Sequence, residues 1–426
     1  MAIFKTLAQA WNVPDIRKKI LFTVMMLVIF RLGANIPVPF IDRQQLASIF
    51  QGGEGLFQFF NLFSGGAFSN FTIFALSITP YITASIILQL LTIAIPALEA
   101  IAKEGTEGRK KIAQYTRYLT VVLAFIQAIG MTLGLFRSVL TRSDWFSVLT
   151  IILTLTAGTA FLMWLGEKIN ENGIGNGISM IIFAGIISRG PNAINIALTG
   201  YQSQTVSLIS LILFSIFALA VVVGTVEVQQ GQRRIPVQYA KRVVGRKMYG
   251  GQSSHIPIKV NQAGVIPVIF AMSILQFPLT IRAFVNDSSF TRFLDTWLSP
   301  SGLYGAWIYA SLNFILIMFF TYFYTAITFN PIEVSNNMRS NGGFIPGIRP
   351  GRATTEYLQK VMNRVTFAGA VFLAIIASLP TIIQRTTALN IGFGGTSLLI
   401  AVGVGLDTMK QLESQMVMRN YQGFLK

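Results

Sequence analysis

The chain contains no cysteine and a single histidine in 426 residues. Without cysteine it can form no disulfide and offers no thiolate nucleophile or metal ligand. The one histidine, His255, cannot supply a two-histidine zinc motif, and it falls in a predicted loop rather than in an apolar segment. The sequence also lacks a Gly-x4-Gly-Lys-Ser/Thr nucleotide-binding loop. We therefore predict that the protein is not an enzyme, holds no metal or cofactor, and takes any energy for its work from another chain.

Charged residues are scarce as well, at 12% of the chain, whereas hydrophobic residues make up 53% and the mean hydropathy is +0.60. A soluble domain carries about twice that share of charges. The apolar residues gather in ten stretches of roughly 20 residues, the length that a helix needs to cross a bilayer. This composition predicts an all-α polytopic membrane protein with ten transmembrane helices. The stretches are residues 20–36, 72–95, 117–136, 146–165, 178–198, 206–226, 263–281, 305–329, 362–383 and 391–409.

The basic residues predict the orientation of these helices. The fifth stretch is interrupted by Arg189, Gly190 and Pro191, but we count it as a span because omitting it would invert everything downstream. One side then carries 25 of the 33 Lys and Arg and 11 of the 16 Asp and Glu, so its net charge is +14 against +3 on the other side. By the positive-inside rule the +14 side is cytoplasmic. We therefore expect a multi-pass plasma-membrane protein with both termini in the cytoplasm.

The ten spans are predicted to form two pseudo-symmetric halves of five, residues 1–200 and 201–426, since the fifth and the tenth span both follow a Gly-rich run. Paired halves are also typical of ion-coupled secondary transporters, which are the alternative interpretation. Coupling to an ion usually needs a carboxylate in the middle of the membrane. Glu227 and Asp407 lie instead at the cytoplasmic ends of their spans. This placement disfavours the transporter.

Two predicted cytoplasmic loops, residues 227–262 and 330–361, are long and basic. Alternating polar and apolar residues at 234–239 predict a short hairpin, and Gly and Pro in the second loop hold its basic residues near a tip. Projecting basic tips suit an acidic partner, either ribosomal RNA or an acidic protein surface. Anionic lipid headgroups are the alternative partner. The candidate contact residues are Arg233, Arg234, Lys241, Arg242, Arg246 and Lys247 in the first loop and Arg349 and Arg352 in the second.

A shorter apolar segment, residues 56–68, lies between the first two spans. It is too short to cross the bilayer and too apolar to lie bare in water, and glycines on both sides give it flexible joints. A segment of this kind either re-enters the protein, where it is buried or lines a cavity, or rests as an interfacial helix on the headgroups. The sequence alone leaves both possibilities open.

Several ordered motifs resemble one family. They include Gly231-Gln-Arg-Arg234, Tyr239-Ala-Lys-Arg242, Phe344-Ile-Pro-Gly-Ile-Arg-Pro-Gly351, Gly394-Gly-Thr-Ser-Leu-Leu399, Phe63-Ser-Gly-Gly66 and Gly173-Ile-Gly-Asn-Gly-Ile-Ser179. From about residue 17 to residue 407 the chain is similar to the SecY family, the channel subunits of the bacterial protein-export translocon. The resemblance implies a channel that passes unfolded secretory chains through a central pore and releases hydrophobic segments sideways into lipid. It also implies contacts with SecE, SecG, the ATPase SecA, ribosomes, signal-bearing preproteins and membrane lipids.

The same resemblance implies roles for particular residues. A ring of apolar side chains at the waist of the pore would consist of Ile78, Ile82, Ile178, Ile182, Ile269 and Ile400. Segment 56–68 would be the plug that blocks the closed pore, with Phe59, Phe60, Asn61, Leu62, Phe63, Ser64, Gly65 and Gly66 at its centre. The lateral gate would open between the second and seventh spans, at Pro80, Thr83, Gln89 and Phe277.

Prolines bear on how these gate helices move. Pro80 in the second span and Pro267 and Pro278 in the seventh each remove a backbone hydrogen-bond donor. We expect all three prolines to kink their helices and to lower the cost of moving them.

Overall fold

A computed structural model describes residues 10–42, 44–46, 61, 64–142, 144–203, 207–239, 242–244, 247–249, 253–282, 289–298, 305–386 and 395–423. Within these residues the protein is mainly helical, and each of the ten predicted stretches falls on at least one helix. The helices are α1 (Pro14–Gly33), α2 (Thr79–Ala94), α3 (Pro96–Lys103), α4 (Thr106–Gly130), α5 (Trp145–Asn172), α6 (Gly177–Ser188), α7 (Gly190–Gln202), α8 (Leu208–Gln230), α9 (Ile266–Arg282), α10 (Ser289–Trp297), α11 (Gly305–Thr328), α12 (Pro331–Ser340), α13 (Arg352–Thr386) and α14 (Gly395–Gly423).

Six helical stretches in the described part of the chain are long and apolar enough to cross a membrane, and a seventh is obtained if α2 and α3 count as one bent span. The bend between α2 and α3 is 101°, at Ile95 and Pro96. One of the six combines α6 and α7 across Arg189, so the interrupted fifth stretch is long enough to span, as predicted. The other three predicted stretches coincide with α1, α9 and α14. The membrane fold is therefore the predicted polytopic helical one.

The second stretch differs from the prediction, because Thr72 forms a β-bridge with Pro37, residues 73–78 are turns, and α2 begins only at Thr79. Phe71 and Ser77 have positive φ angles of 43° and 53°, which no α-helix accommodates. The amide of Ile73 donates to the carbonyl oxygen of Ile36 at 3.0 Å, so this segment pairs with the chain that leaves α1. Apolar composition alone could not distinguish this paired segment from a helix.

The prolines of the gate helices are a second correction. Pro80 lies in the first turn of α2 and Pro267 is the second residue of α9. The first turn of a helix has no partner for these amides, so a proline there costs no hydrogen bond and causes no kink. The prediction of a kink was therefore wrong for both residues. Pro278 does lie inside α9, where the lost donor weakens the helix.

The helices pack around one large apolar core. This core takes buried side chains from α1, α2, α5 and α6 and from α8, α9, α11, α13 and α14. A smaller core lies beyond the carboxyl end of α1 and joins the turns after this helix to α4 and α5. In it, the rings of Phe71 and Phe136 pack edge to face, with 4.6 Å between their centroids. The α8 helix contributes little to either core. Only 11% of its 18-residue apolar segment is buried, compared with 50% of the corresponding segment of α5. Most of α8 is therefore left to face lipid or another chain.

A small sheet stands beside the helices and adds β structure to the predicted all-α fold. Its strands, in the order β4, β1, β5, are β1 (Gln232–Tyr239), β4 (Ser253–Lys259) and β5 (Gly343–Phe344), all antiparallel. Two further strands, β2 (Arg242–Val244) and β3 (Lys247–Tyr249), pair with each other. The predicted hairpin in the first basic loop is therefore confirmed. Because β5 comes from the second basic loop, the sheet joins the two loops into one unit.

Candidate functional site

The six isoleucines predicted to form the waist lie in one apolar cluster. Five of them, Ile78, Ile82, Ile182, Ile269 and Ile400, are 7% exposed or less. They come from four places in the fold: the cap and first turn of α2, and α6, α9 and α14. The structure thus brings together residues that are up to 322 positions apart in sequence, from Ile78 to Ile400.

Ile178 is the sixth member and occupies a different position. It is partly buried against the same cluster. A Cβ atom on Gly166 of α5 would lie 2.6 Å from the Cδ1 atom of Ile178, so this side chain rests on the glycine. Ile178 therefore also packs the α5–α6 pair together.

The described end of the predicted plug is held by a charged side chain. The Nη1 atom of Arg31, in the last turn of α1, donates to the carbonyl oxygen of Gly65 at 3.1 Å and to the Oγ atom of Ser188 at 3.0 Å. The Ser188 hydroxyl in turn donates to the carbonyl oxygen of Gly185 at 2.7 Å. One guanidinium therefore joins α1, the end of the plug segment and α6.

The backbone at this point requires glycine. Gly65 has a φ angle of 62°, and a Cβ atom on it would lie 2.7 Å from the Cα atom of Gly185. Asn61 and Ser64 close the turn, because the amide of Gly66 donates to the carbonyl oxygen of Asn61 and the amide of Phe68 donates to the Ser64 hydroxyl. The predicted plug residues Phe59, Phe60, Leu62 and Phe63 lie outside the described residues.

At the predicted lateral gate, α2 packs directly against α9, and α4 also touches α9. The polar side chains predicted there are satisfied within α2: Thr83 donates to the carbonyl oxygen of Thr79 at 3.1 Å, and Gln89 to the Ser85 hydroxyl at 3.3 Å. Phe277 belongs to α9, but its side chain lies outside the description. The seam between α2 and α9 is therefore in contact, and its polar groups can separate without losing a partner on the other helix.

The two basic loops share a small core of their own. Ile235, Val237 and Ile258 from the sheet pack against Met338 of α12, Leu358 of α13 and Ile345 in the loop between β5 and α13. We call this unit of β1, β4, β5, α12, the connection 345–351 and the first turns of α13 the basic platform. Tyr239 and Met338 approach Gly343 so closely that a Cβ atom there would lie 2.9 Å from each. The platform is thus a packed body rather than two independent loops.

Its basic residues point outward. Arg233 and Arg234 are exposed on β1, and Arg349 and Arg352 are exposed in the second loop. Arg352 pairs with Glu356 at 2.9 Å, whereas the carbonyl oxygen of Arg349 accepts a hydrogen bond from the Thr354 hydroxyl, which fixes its backbone. Arg242 and Lys247 lie on β2 and β3, and Lys241 and Arg246 fall outside the described residues.

Sequence reasoning missed two features of the site. It gave no partner for Arg31, whereas the structure places its guanidinium on Gly65 and Ser188. It treated the two basic loops separately, although β1 and β5 pair at Gln238 with Phe344. Neither contact leaves a local signal, because the partners are 34, 157 and 106 residues apart.

This arrangement defines a multi-pass α-helical membrane protein that has a buried apolar cluster among its helices and carries a basic body on one side. A family model described as SecY matches residues 72–409. The chain is 45% identical over 439 residues to the protein translocase subunit SecY of Thermotoga maritima, covering 100% of this chain and 98% of the relative. It is 47% identical over 436 residues to the subunit of the same name from Halalkalibacterium halodurans, covering 100% of both. The chain belongs to the SecY family.

The fold agrees with this assignment. A solved structure of a protein conducting channel superposes with a TM-score of 0.65 over 94% of this chain and 93% of its own, at 22% identity. That similarity concerns the arrangement of the helices. It matches the polytopic fold expected from the sequence.

Proposed function

We propose that this chain is the channel of a Sec-type protein translocase, which conducts unfolded polypeptides across a membrane and is not itself an enzyme. The observation that carries the proposal is the single buried cluster of waist isoleucines, drawn from four separate elements of a chain in the SecY family. A translocase subunit is also what its two full-length relatives are called.

A protein conduit solves a definite physical problem. Moving one Asp, Lys or Arg to the centre of a bilayer costs about 2.5–3.5 kcal/mol, so a secretory chain with many such residues cannot cross through lipid. It needs a path through protein. The waist isoleucines would keep that path shut to ions, because a narrow apolar constriction loses its water. Their branched side chains can still part around a passing peptide.

The plug and the gate complete the proposed cycle. In the proposed closed state the plug would block the pore, and its described end would be anchored at Gly65 by Arg31. An entering hydrophobic signal would separate α2 from α9, which touch in the closed seam. Opening of this seam would release hydrophobic segments into lipid. It requires a relative movement of two halves, residues 1–200 and 201–426, and Pro278 weakens α9 for that movement.

The basic platform would face the cytoplasm of a plasma membrane, with both termini on the same side. Its exposed arginines suit ribosomal RNA and the acidic surface of a motor such as SecA. The exposed apolar surface of α8 offers room for small membrane subunits such as SecE and SecG, with lipid covering the rest. We infer that these partners and the preprotein assemble around this chain.

An ion-coupled transporter has little support. Glu227 is in the last turn of α8, next to the platform. Asp407 lies on α14, on the same side of the helices as the platform. The full-length relatives are translocase subunits rather than transporters. No observation on this chain favours ion coupling over polypeptide conduction.

Reconstitution tests the proposal directly. Proteoliposomes that contain this chain with its small subunits and a Sec ATPase should protect a secretory precursor from added protease, and a precursor without a signal should remain accessible. Arg349→Glu should lower binding of ribosomes or motor and make the remainder less sensitive to salt, because a charge contact is lost. Arg142→Glu, at an exposed site on the predicted opposite side, is the matched control. If the signal-bearing precursor also remains accessible to protease, the proposed channel function is contradicted.

A further inference from the structure

A cavity of about 190 Å³ opens beside the waist on the platform side. Its walls come from three places: the turn between α5 and α6, the start of α9, and α14. Each wall is close in sequence to a waist isoleucine. Ser179 follows Ile178 directly, Ile266 precedes Ile269 by three residues, and Val404 follows Ile400 by four. The cavity therefore lies about one helical turn from the waist.

Asp407 is the charged residue among the described residues that line this cavity. Its side chain is exposed, and it makes no ion pair within the part of the chain that the structure describes. Lys259 and Lys410 interact with it electrostatically. Neither lines the cavity, and the Lys410 amino group donates instead to the carbonyl oxygen of Gln229 at 3.3 Å. A carboxylate thus faces the cavity without a salt-bridge partner.

The remaining lining suits a long cationic side chain. Val265, Ile266 and Val404 give it an apolar wall, and Asn176, Ser179 and Gln411 add neutral polar groups. Lysine and arginine combine an apolar stem with a charged head, so both parts would find a complementary surface. The volume of about 190 Å³ far exceeds the roughly 10–15 Å³ that a cavity needs to hold one water molecule, and it leaves room for such a head.

We propose that this cavity is a subsite that receives a basic side chain from the amino-terminal flank of the apolar segment in the entering polypeptide, with Asp407 as its counter-ion. The inference rests on the proposed channel function. Lysine and arginine next to an apolar segment stay on the cytoplasmic side of a membrane. A flank held at Asp407 would keep that orientation while the apolar segment enters the seam between α2 and α9.

The subsite contributes specificity beyond that of the platform. The exposed charged residues of the platform are mainly basic and repel a basic flank, whereas Asp407 lies in the cavity wall, seven residues after Ile400, and attracts it. A direct contact with Asp407 is shorter than the separations to Lys259 and Lys410, which make no ion pair with it. Lys259 is exposed, so solvent weakens its repulsion of an incoming cation, and the Lys410 amino group is held at the carbonyl oxygen of Gln229.

The test uses two precursors that differ only in three lysines or three glutamines before the apolar segment. Asp407→Asn keeps the size of the side chain and removes its charge, and Glu413→Gln makes the same change at an exposed site on α14 outside the cavity. We expect Asp407→Asn to lower transport of the lysine precursor at limiting concentration by about two- to fivefold, the upper range for one exposed ion pair. Transport of the glutamine precursor should be unchanged, and Glu413→Gln should affect neither.

A location readout leaves Asp407 intact. Ser179→Cys places the chain's sole cysteine in the cavity wall, and a cysteine in the precursor flank should form a disulfide with it more readily when lysines are adjacent. The subsite would be overturned if Asp407→Asn lowered transport of both precursors equally. It would also be overturned if the cross-linking yield were the same with and without the adjacent lysines. If neither precursor crosses with the unaltered chain, the channel itself fails. The two failures are therefore distinguishable.

Discussion

The guanidinium of Arg31 donates a hydrogen bond to the carbonyl oxygen of Gly65, 34 residues further along the chain, at 3.1 Å. The same nitrogen also reaches the Ser188 hydroxyl on α6. The contact fixes the described end of the plug segment to two helices of the amino-terminal part. With the proposed plug function, an outward movement that displaces Gly65 breaks this contact, so the contact would contribute to the energy that holds the channel shut.

Replacing Arg31 should therefore loosen the closed state. A hydrogen bond from a charged donor contributes about 1.5–3 kcal/mol, and losing even about 1.4 kcal/mol raises the open population tenfold. Arg31→Ala should leak small ions in planar bilayers without substrate and should pass precursors with defective signals. Arg31→Lys, which keeps the charge and one contact, should leak less. Resting conductance of Arg31→Ala equal to that of the unaltered chain would remove Arg31 from the closing mechanism.

A pair of glycines separates packing from backbone strain at the same place. A Cβ atom on Gly65 meets the Cα atom of Gly185 at 2.7 Å, whereas a Cβ atom on Gly66 meets nothing within 4 Å, and both residues have positive φ. Alanine at position 65 should therefore increase the leak more than alanine at position 66. Conductance measured in parallel checks this order. Equal leaks would mean that strain alone matters.

Much of the membrane fold could be predicted from hydropathy, because each span must be apolar over about 20 residues. Hydropathy failed at residues 72–78, where an apolar segment pairs with the backbone at Ile36 instead of forming a helix. It also gave no indication that Ile178 rests on Gly166 or that Arg31 meets Gly65. These contacts depend on how distant helices pack, and a local pattern carries no information about that.

The platform depends on a glycine that local sequence rules would assign only to a turn. A side chain at Gly343 would press on Tyr239 and Met338 and push β5 away from β1. Gly343→Ala should therefore speed trypsin cleavage after Arg339 and Arg352 several-fold and weaken ribosome binding. Gly342→Asn is the control, since this position has a φ of 72° and open space, and asparagine tolerates that conformation. Unchanged cleavage in Gly343→Ala would show that the two loops do not depend on each other.

The orientation can be tested on a chain that has no cysteine of its own. Single cysteines at Ser254, Ser340 and Ser414, all exposed on the platform side, should be protected from an impermeant thiol reagent in intact cells. A cysteine at Ser138, exposed at the other end of the helices, should react. The expectation follows from the positive-inside rule. Labelling at position 254 from outside the cell would reverse the topology and with it the role of the platform.

The waist itself should lose its seal when it is made polar. Asparagine at Ile182 and Ile269 would hold water where the branched side chains exclude it, so the double variant should raise resting conductance about tenfold or more. Ile178→Asn should have a smaller effect, because this side chain rests on Gly166 at the edge of the cluster. Ile209→Asn and Ile216→Asn make the same chemical change at exposed positions of α8 and should not leak. Gel filtration in detergent would show that each variant remains folded. If the conductance of the folded double variant matches that of the α8 controls, the isoleucine cluster is packing and not a waist.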